Sequence, residues 1–189
     1  MKYKLSDGVI VVETDRAIRQ DVDRLYEKQY GNKTPSLNSR TVHIREISRK
    51  AGILGELVFA ELYKDARKSE DYAYDFYYQG KRVDVKCKYR NGEPDYRRNE
   101  ASIYMYQVNN EAVDIYYFMS TCKNFEKVWL MGCISRSALL HHPQAVWWKK
   151  GEIDLSNKKV FEADTLNLPY IYLVPISIEQ INPRVYYDW

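Results

Sequence analysis

The sequence has few cysteines, and their spacing suits neither of the common roles of clustered cysteines. Cys87, Cys122 and Cys133 are odd in number, lie far apart and form no Cys-x-x-Cys pair. A disulfide framework or a structural zinc site is therefore not expected, and the three histidines add no metal-ligand spacing. Reduced thiols in a cytosolic protein are the simpler interpretation.

Long apolar runs are missing as well. The most apolar stretch, residues 53–60, is interrupted by Glu56 and falls far short of the roughly 20 residues that a membrane helix needs. Residues 1–7 are charged and lack the apolar core and cleavage site of a signal peptide. Glycine (8) and proline (6) are scarce, and no repeat or low-complexity tract is visible. We therefore expect a cytoplasmic protein with no membrane partner.

The chain of 189 residues, 45% hydrophobic and 29% charged, can form one domain with a real core. Its net charge of +3 identifies no partner, but a local basic cluster lies between residues 81 and 98. The 18 tyrosines and four tryptophans could stack on bases beside these cations. Aromatic residues also favour strands and cores, which is the simpler reading of most of them.

The hydrophobic pattern predicts alternating strands and helices, and hence a mixed sheet with helices on its faces. The predicted helices are one capped by Thr14 or Asp15 and running to about residue 28, a long one at 42–63 and a short one at 136–141. The predicted strands are 8–13, 74–78, 82–89, 114–121 and 127–135, followed by a hairpin near 149–161. Residues 101–110 fit a strand, a helix or one after the other.

The strands 74–78 and 82–89 form a predicted hairpin that carries two acids. Gln79-Gly80 suits a two-residue turn. Such a turn sets a register in which Asp75 falls directly opposite Asp84, with the two Cβ atoms roughly 4.5–5.5 Å apart.

Two ionised carboxylates so close repel each other, so that either one is protonated or a cation lies between them. Lys86 shares the face of Asp84, and hard divalent cations prefer carboxylate oxygens. The alternative is an exposed hairpin whose polar face merely carries charge.

A third acid, Glu56, stands among apolar residues of the long predicted helix. Gly52 and Gly55 lie on its side of that helix, and each costs roughly 1 kcal/mol of helix stability against alanine. Their presence makes sense where another backbone passes close by. A carboxylate in such surroundings is costly unless it is paired or bound to a metal, and a salt bridge to Arg49 or Lys50 is the alternative.

A helix with Gly-x-x-Gly-Glu, followed by a hairpin with Asp, eight intervening residues and Asp-x-Lys, resembles the PD-(D/E)xK nuclease superfamily. This group includes many restriction endonucleases, junction resolvases and phage exonucleases. The resemblance covers about residues 44–135. Tyr74 stands where a proline gives the family its name. A Gln-x-x-x-Tyr motif of some recombination nucleases is half present, because Gln107 is followed by Glu111 and not by tyrosine.

The resemblance implies an α/β fold with a restriction-endonuclease-like core, a mixed central β-sheet flanked by α-helices. It implies a single nuclease domain over 1–189, with a catalytic core at about 42–135 and elaborations at 1–41 and 136–189. The implied activity is Mg²⁺-dependent hydrolysis of phosphodiester bonds, with Mn²⁺ as a substitute, most simply by a DNA endonuclease. The implied catalytic residues are Glu56, Asp75, Asp84 and Lys86.

The same resemblance implies that Asp75, Asp84 and the Val85 carbonyl hold the metal, with Glu56 reaching it through water or closing a second site. Gln107 is a second-tier candidate. The implied partner is nucleic acid, most simply double-stranded DNA, and analogy leaves a homodimer open. The residues expected to grip the phosphate backbone are Lys81, Arg82, Lys88, Arg90, Arg97 and Arg98.

Other functions remain open from the sequence. A catalytically inactive nucleic-acid-binding module with the same fold would keep the basic cluster without needing the acids. An RNA nuclease would share every motif. A metal-dependent hydrolase of another kind, or an interaction protein, is the third alternative.

Overall fold

The structure, a computed structural model, describes residues 1–6, 8–31, 39–155, 158–177 and 186–187. Within these ranges the helices are α1 (Arg16–Tyr30), α2 (Ser39–Leu62), α3 (Met105–Val108) and α4 (Arg136–Leu140). The strands are β1 (Lys2–Ser6), β2 (Val9–Glu13), β3 (Arg67–Lys68), β4 (Phe76–Tyr78), β5 (Lys81–Arg90), β6 (Glu100–Tyr104), β7 (Ile115–Cys122), β8 (Lys127–Ser135), β9 (Val146–Trp148), β10 (Ile153–Asp154), β11 (Lys159–Val160), β12 (Thr165–Pro169) and β13 (Tyr186–Tyr187).

The central sheet has the strand order β13-β1-β2-β8-β7-β5-β4-β3. Most neighbours are antiparallel, but β5 and β7 run parallel. Parallel neighbours need a long crossover, and residues 91–114 provide it with β6 and α3. A smaller sheet, β6-β12-β9, and the hairpin β10-β11 lie outside the central sheet. The predicted α/β class, with a mixed central sheet flanked by helices, is confirmed.

The long helix α2 packs on one face of the central sheet through the predicted apolar stripe. Leu54, Val58 and Leu62 of that stripe are fully buried. Gly55 allows the close approach, because a Cβ built on it would lie 2.5 Å from the Cβ of Cys87 on β5. The same expectation for Gly52 is wrong, since nothing lies within 4 Å of a Cβ built there.

A second core fills the opposite face of the sheet. There Tyr116 and Phe118 of β7 pack with Met131 of β8 against Leu166 and Leu168 of the small sheet. The central sheet is therefore covered by helices on one face and mainly by the small sheet on the other.

Several predicted elements are confirmed with shifted ends. The side chain of Asp15 caps α1 by accepting from the Ile18 N–H at 3.0 Å. Residues 101–110 form a strand followed by a helix, one of the open alternatives. The sequence also predicts a loop at 30–41 and a helical turn before Pro183, and most of both lies outside the described residues. Among the helices that are described, none combines the length and apolar character that crossing a membrane requires.

Candidate active site

The turn of the β4–β5 hairpin sets the register that the sequence predicted. Gln79 (φ 46°) and Gly80 (φ 75°) are both left-handed, as a two-residue turn that matches the twist of the strands requires. Glycine adopts this conformation freely, whereas Gln79 does so at some cost. The ladder pairs Tyr78 with Lys81 and continues to Phe76 and Val83.

Asp75 directly precedes β4 and lies just outside this ladder. Its N–H donates to the Val83 carbonyl at 2.9 Å, and its carboxylate Oδ2 accepts from the Val85 N–H at 2.7 Å. The predicted direct pairing of Asp75 with Asp84 is thus replaced by a contact with the next residue of β5. Because β4 begins only at Phe76, which pairs with Val83, Asp75 lies along the edge of β5 beyond that pair.

As predicted, the alternation of β5 places Asp84 and Lys86 on one face of the strand, and this face lies opposite α2. Val83 and Val85 are buried in the core beneath α2. Asp84 is only 8% exposed, and Lys86 Nζ donates to its Oδ1 at 2.7 Å. The lysine therefore neutralises a carboxylate that the fold removes from water.

Glu56 projects from α2 toward the same edge of the sheet. Its Oε2 accepts from Lys68 Nζ on β3, and the same ammonium lies 4.7 Å from the centre of the Phe76 ring. The alternative that Glu56 pairs with Arg49 or Lys50 is wrong. Arg49 lies over a tyrosine ring of α1, and Lys50 pairs with one acid on α1 and one on α2.

Electrostatics join the three acids into one cluster. Burial, followed by the negative charges of Glu56 and Asp84, raises the pKa of Asp75 to about 7. The hydrogen bond from Val85 and the charge of Lys68 oppose this rise. A cation placed among the carboxylates would remove the repulsion and hold Asp75 ionised.

The donor set fits a hard divalent cation. In a strand the N–H and C=O of one residue point to the same side, so the Val85 carbonyl faces the edge where Asp75 binds the Val85 N–H. Within the described ranges no three His, Cys, Asp or Glu side chains are arranged to hold a metal ion. Mg²⁺ does not require three, because it commonly binds through one or two carboxylates and keeps several waters. Asp75, Asp84 and the Val85 carbonyl are the oxygen donors that could form such a set, and the charge of Glu56 acts on Asp75.

Two of the predicted basic residues continue the row of Asp84 and Lys86 along β5. Lys88 Nζ donates to Ser102 Oγ at 3.4 Å. The Arg90 guanidinium donates to Ser120 Oγ at 3.2 Å and to Tyr170 Oη at 2.9 Å. A cavity of about 110 Å³ opens beside them. Its lining includes Lys88, Arg90, Arg98, Ser102 and Asn167.

The other predicted basic residues are placed differently. Arg82 is half-exposed and engaged in an ion pair, since its guanidinium binds both carboxylate oxygens of Asp114 at 2.7 and 3.0 Å. Lys81 is exposed at the hairpin turn and Arg97 in the loop after β5. Gln107 contributes its backbone carbonyl, which accepts from Tyr116 Oη at 3.0 Å.

Sequence reasoning missed Lys68, the partner of Glu56. It lies on a strand of two residues, which is too short to show alternation. The only sequence signal for this partner was a pair of cationic residues ahead of Asp75. An additional antiparallel strand brings these residues beside the hairpin.

In comparisons with known proteins, no family model and no curated protein matches this chain. The resemblance to the nuclease superfamily therefore rests on the residues of the site and on their arrangement.

Proposed function

We propose that this chain is a metal-dependent nuclease of the PD-(D/E)xK kind, with a restriction-endonuclease-like core, that hydrolyses phosphodiester bonds in DNA. The observation that carries the proposal is the grouping of three acids around one uncovered stretch of strand. Asp75 lies on the edge of β5 at Val85. Asp84 and Lys86 lie on one face of that strand, and Glu56 approaches from the helix that packs on its opposite face. The mixed sheet flanked by helices is the architecture that such a core requires.

The metal-binding role falls to residues whose donors are all oxygen. Asp75, Asp84 and the Val85 carbonyl would hold Mg²⁺ or Mn²⁺, with Glu56 acting through water. When bound, the cation supplies Lewis-acid polarisation of a phosphoryl oxygen and lowers the pKa of a water molecule. Because a ligating carboxylate must be ionised, the raised pKa of Asp75 predicts that metal binding releases a proton.

Lys86 is the residue of this site that can act on the substrate through a positive charge. Its ammonium lies 2.7 Å from Asp84, and 24% of the lysine side chain is exposed. From this position it can orient an attacking water and stabilise negative charge that develops on the phosphoryl group. Lys68 has a different part, since it neutralises Glu56 and lowers the repulsion within the acidic cluster.

Substrate binding is assigned to two cations that follow Lys86 along β5 and to one in the loop after that strand. Lys88, Arg90 and Arg98 converge on the cavity beside β6, and such side chains bind phosphates regardless of sequence. Arg82 is better explained as a structural residue, because Asp114 occupies its guanidinium.

A plasmid-nicking assay with Mg²⁺, with Mn²⁺ and with EDTA tests the proposal. The parent should cut only with a divalent cation. Asp84→Asn, which removes charge but almost no volume, should not cut. Lys86→Ala should bind DNA without cutting it. Glu70→Gln, which changes an exposed acid outside the cluster, is the matched control and should cut like the parent.

Thermal unfolding of each variant without metal decides whether a loss of cutting is chemical. A folded Asp84→Asn protein that cuts at the parent rate would refute the mechanism.

The alternative is an inactive nucleic-acid-binding module with the same fold. It is favoured by one observation, that lysines already neutralise Asp84 and Glu56, as expected of carboxylates kept for structure. Such a protein would retain DNA in the same assay and leave the plasmid intact with every cation.

A further inference from the structure

A pair of exposed tyrosines lies at the junction of β6 and α3. The rings of Tyr104 and Tyr106 are stacked, with centroids 5.6 Å apart and planes 16° from parallel. Tyr104 is 42% exposed and Tyr106 is 68% exposed. Single exposed aromatic residues need no explanation, but two large rings held together in solvent mark a surface that can bind a partner.

Contacts between β6 and β5 place this pair beside the candidate active site. Arg90 donates to the Glu100 carbonyl at 3.2 Å, and Lys88 contacts Ser102 at 3.4 Å. The two strands therefore pass each other in opposite directions, and side chains on one face of a strand recur every second residue. Continued by two residues, the same spacing would bring Tyr104 of β6 toward Lys86 of β5.

Helix α3 extends the same wall toward the acids. The carbonyl of Gln107 accepts from Tyr116 Oη at 3.0 Å. Tyr116 is the partner of Asp84 in the parallel ladder. On this arrangement the tyrosine pair would border a groove that runs along β5 from the cavity to the candidate site.

The groove would include the small cavity beside β6. The cavity beside β6 has a volume of about 110 Å³, enough for a small group such as a phosphate. Asn167 in its lining is 4% exposed, and its amide nitrogen donates to Glu100 Oε2 at 2.8 Å. Among the described residues no donor reaches its buried Oδ1.

We propose that the groove takes a single or locally unpaired nucleic-acid strand, with a base stacked on the Tyr104–Tyr106 pair. Its phosphates follow Lys88, Arg90 and Arg98, a combination of cations and aromatic rings typical of single-strand binding. A paired duplex hides its base faces in its own stack and cannot use the rings. This inference rests on the proposed function and departs from the duplex substrate that the sequence led us to expect.

Charge around the tyrosines agrees with this orientation. Glu162 lies close enough to Tyr104 to interact with it electrostatically. An acid there disfavours a phosphate over the rings and favours a neutral base. The strand therefore lies with its phosphates toward β5 and its bases toward α3.

Fluorescence anisotropy in EDTA, where no strand is cut, tests the proposal with a labelled oligo-dT and a duplex of the same length. The parent should bind the single strand more tightly. Changing both tyrosines to leucine should weaken single-strand binding by about 5- to 150-fold, the loss of one stacked base, and leave duplex binding unchanged. Changing both to phenylalanine, which keeps the rings, should preserve affinity. Tyr72→Leu, a fully exposed tyrosine elsewhere, is the control.

The proposal is overturned if the leucine pair binds oligo-dT like the parent, or if the phenylalanine pair loses as much affinity as the leucine pair. Tighter binding of the duplex by the parent would also overturn it. Cleavage with Mg²⁺ separates the two proposals. If the parent nicks duplex DNA and the tyrosines do not matter, the nuclease stands and the single-strand inference fails. If nothing is cut but the leucine pair loses single-strand binding, the inference stands and the nuclease fails.

Discussion

Asp75 is the carboxylate whose ionisation the fold opposes. Its pKa of about 7 compares with an ordinary value of 3.8, a rise of about 3 units. Each unit corresponds to about 1.36 kcal/mol, so ionised Asp75 costs the metal-free protein up to about 4 kcal/mol. Between roughly pH 4 and pH 7 the folded chain keeps a proton that the unfolded chain has lost. The free energy of unfolding must therefore fall as the pH rises through this window.

Asp75→Asn should remove that dependence. The new side chain is neutral at every pH, and its amide oxygen can still accept from the Val85 N–H. Parent and variant should be similarly stable near pH 4. At pH 8, without metal, the variant should be the more stable protein by up to about 4 kcal/mol, the difference expected from the pKa rise. Denaturant unfolding in EDTA at several pH values measures this difference, and Glu70→Gln again serves as the control.

Magnesium supplies the second half of this experiment. The cation should stabilise the parent more strongly as the pH rises above 7, because ligation needs the ionised form of Asp75. The variant should gain little at any pH. Parallel stability curves for parent and variant in EDTA would contradict the electrostatic argument, and an equal gain from Mg²⁺ in both would exclude Asp75 as a ligand.

Two further predictions follow from contacts in the structure. Arg98 lines the cavity beside β5 and Arg97 does not. Arg98→Gln should therefore reduce the salt dependence of DNA binding by about one unit of slope, whereas Arg97→Gln should leave it unchanged. Equal effects of the two changes over a salt series would show that both touch phosphate or that neither does. Gly55→Ala would bring a Cβ within 2.5 Å of the Cβ of Cys87 and should lower the free energy of unfolding by about 1–3 kcal/mol. Gly52→Ala meets open space and should raise it by up to about 1 kcal/mol; destabilisation by both changes in denaturant unfolding would contradict the packing argument.

Features with a local cause were predictable from the sequence. The stripe of α2 follows from helical periodicity, and the hairpin register follows from the conformation that Gln79 and Gly80 adopt. Asp84 and Lys86 share a face because strand side chains alternate. These signals need only neighbouring residues, and they position the central part of the candidate site.

Features with a long-range cause were not predictable. Asp75 turns to Val85 because β4 begins only at Phe76, and where a strand begins depends on how the rest of the sheet packs. The small sheet pairs Thr165 with Tyr104, residues too far apart in the chain to leave a joint pattern. The groove beside the site was invisible for the same reason, because one of its walls comes from that sheet.

The uncovered side of β5 has a consequence for the solution behaviour of the protein. Beyond Val83, no described strand pairs with the side of β5 that faces away from β7. A strand edge of this kind can template pairing with another molecule, and proteins commonly guard it with charged side chains. Lys86, Lys88 and Arg90 stand along this stretch, so the cations assigned to substrate also discourage edge-to-edge association. Variants that neutralise all three should self-associate as their concentration rises, and a loss of DNA binding in them has to be measured on the monomer.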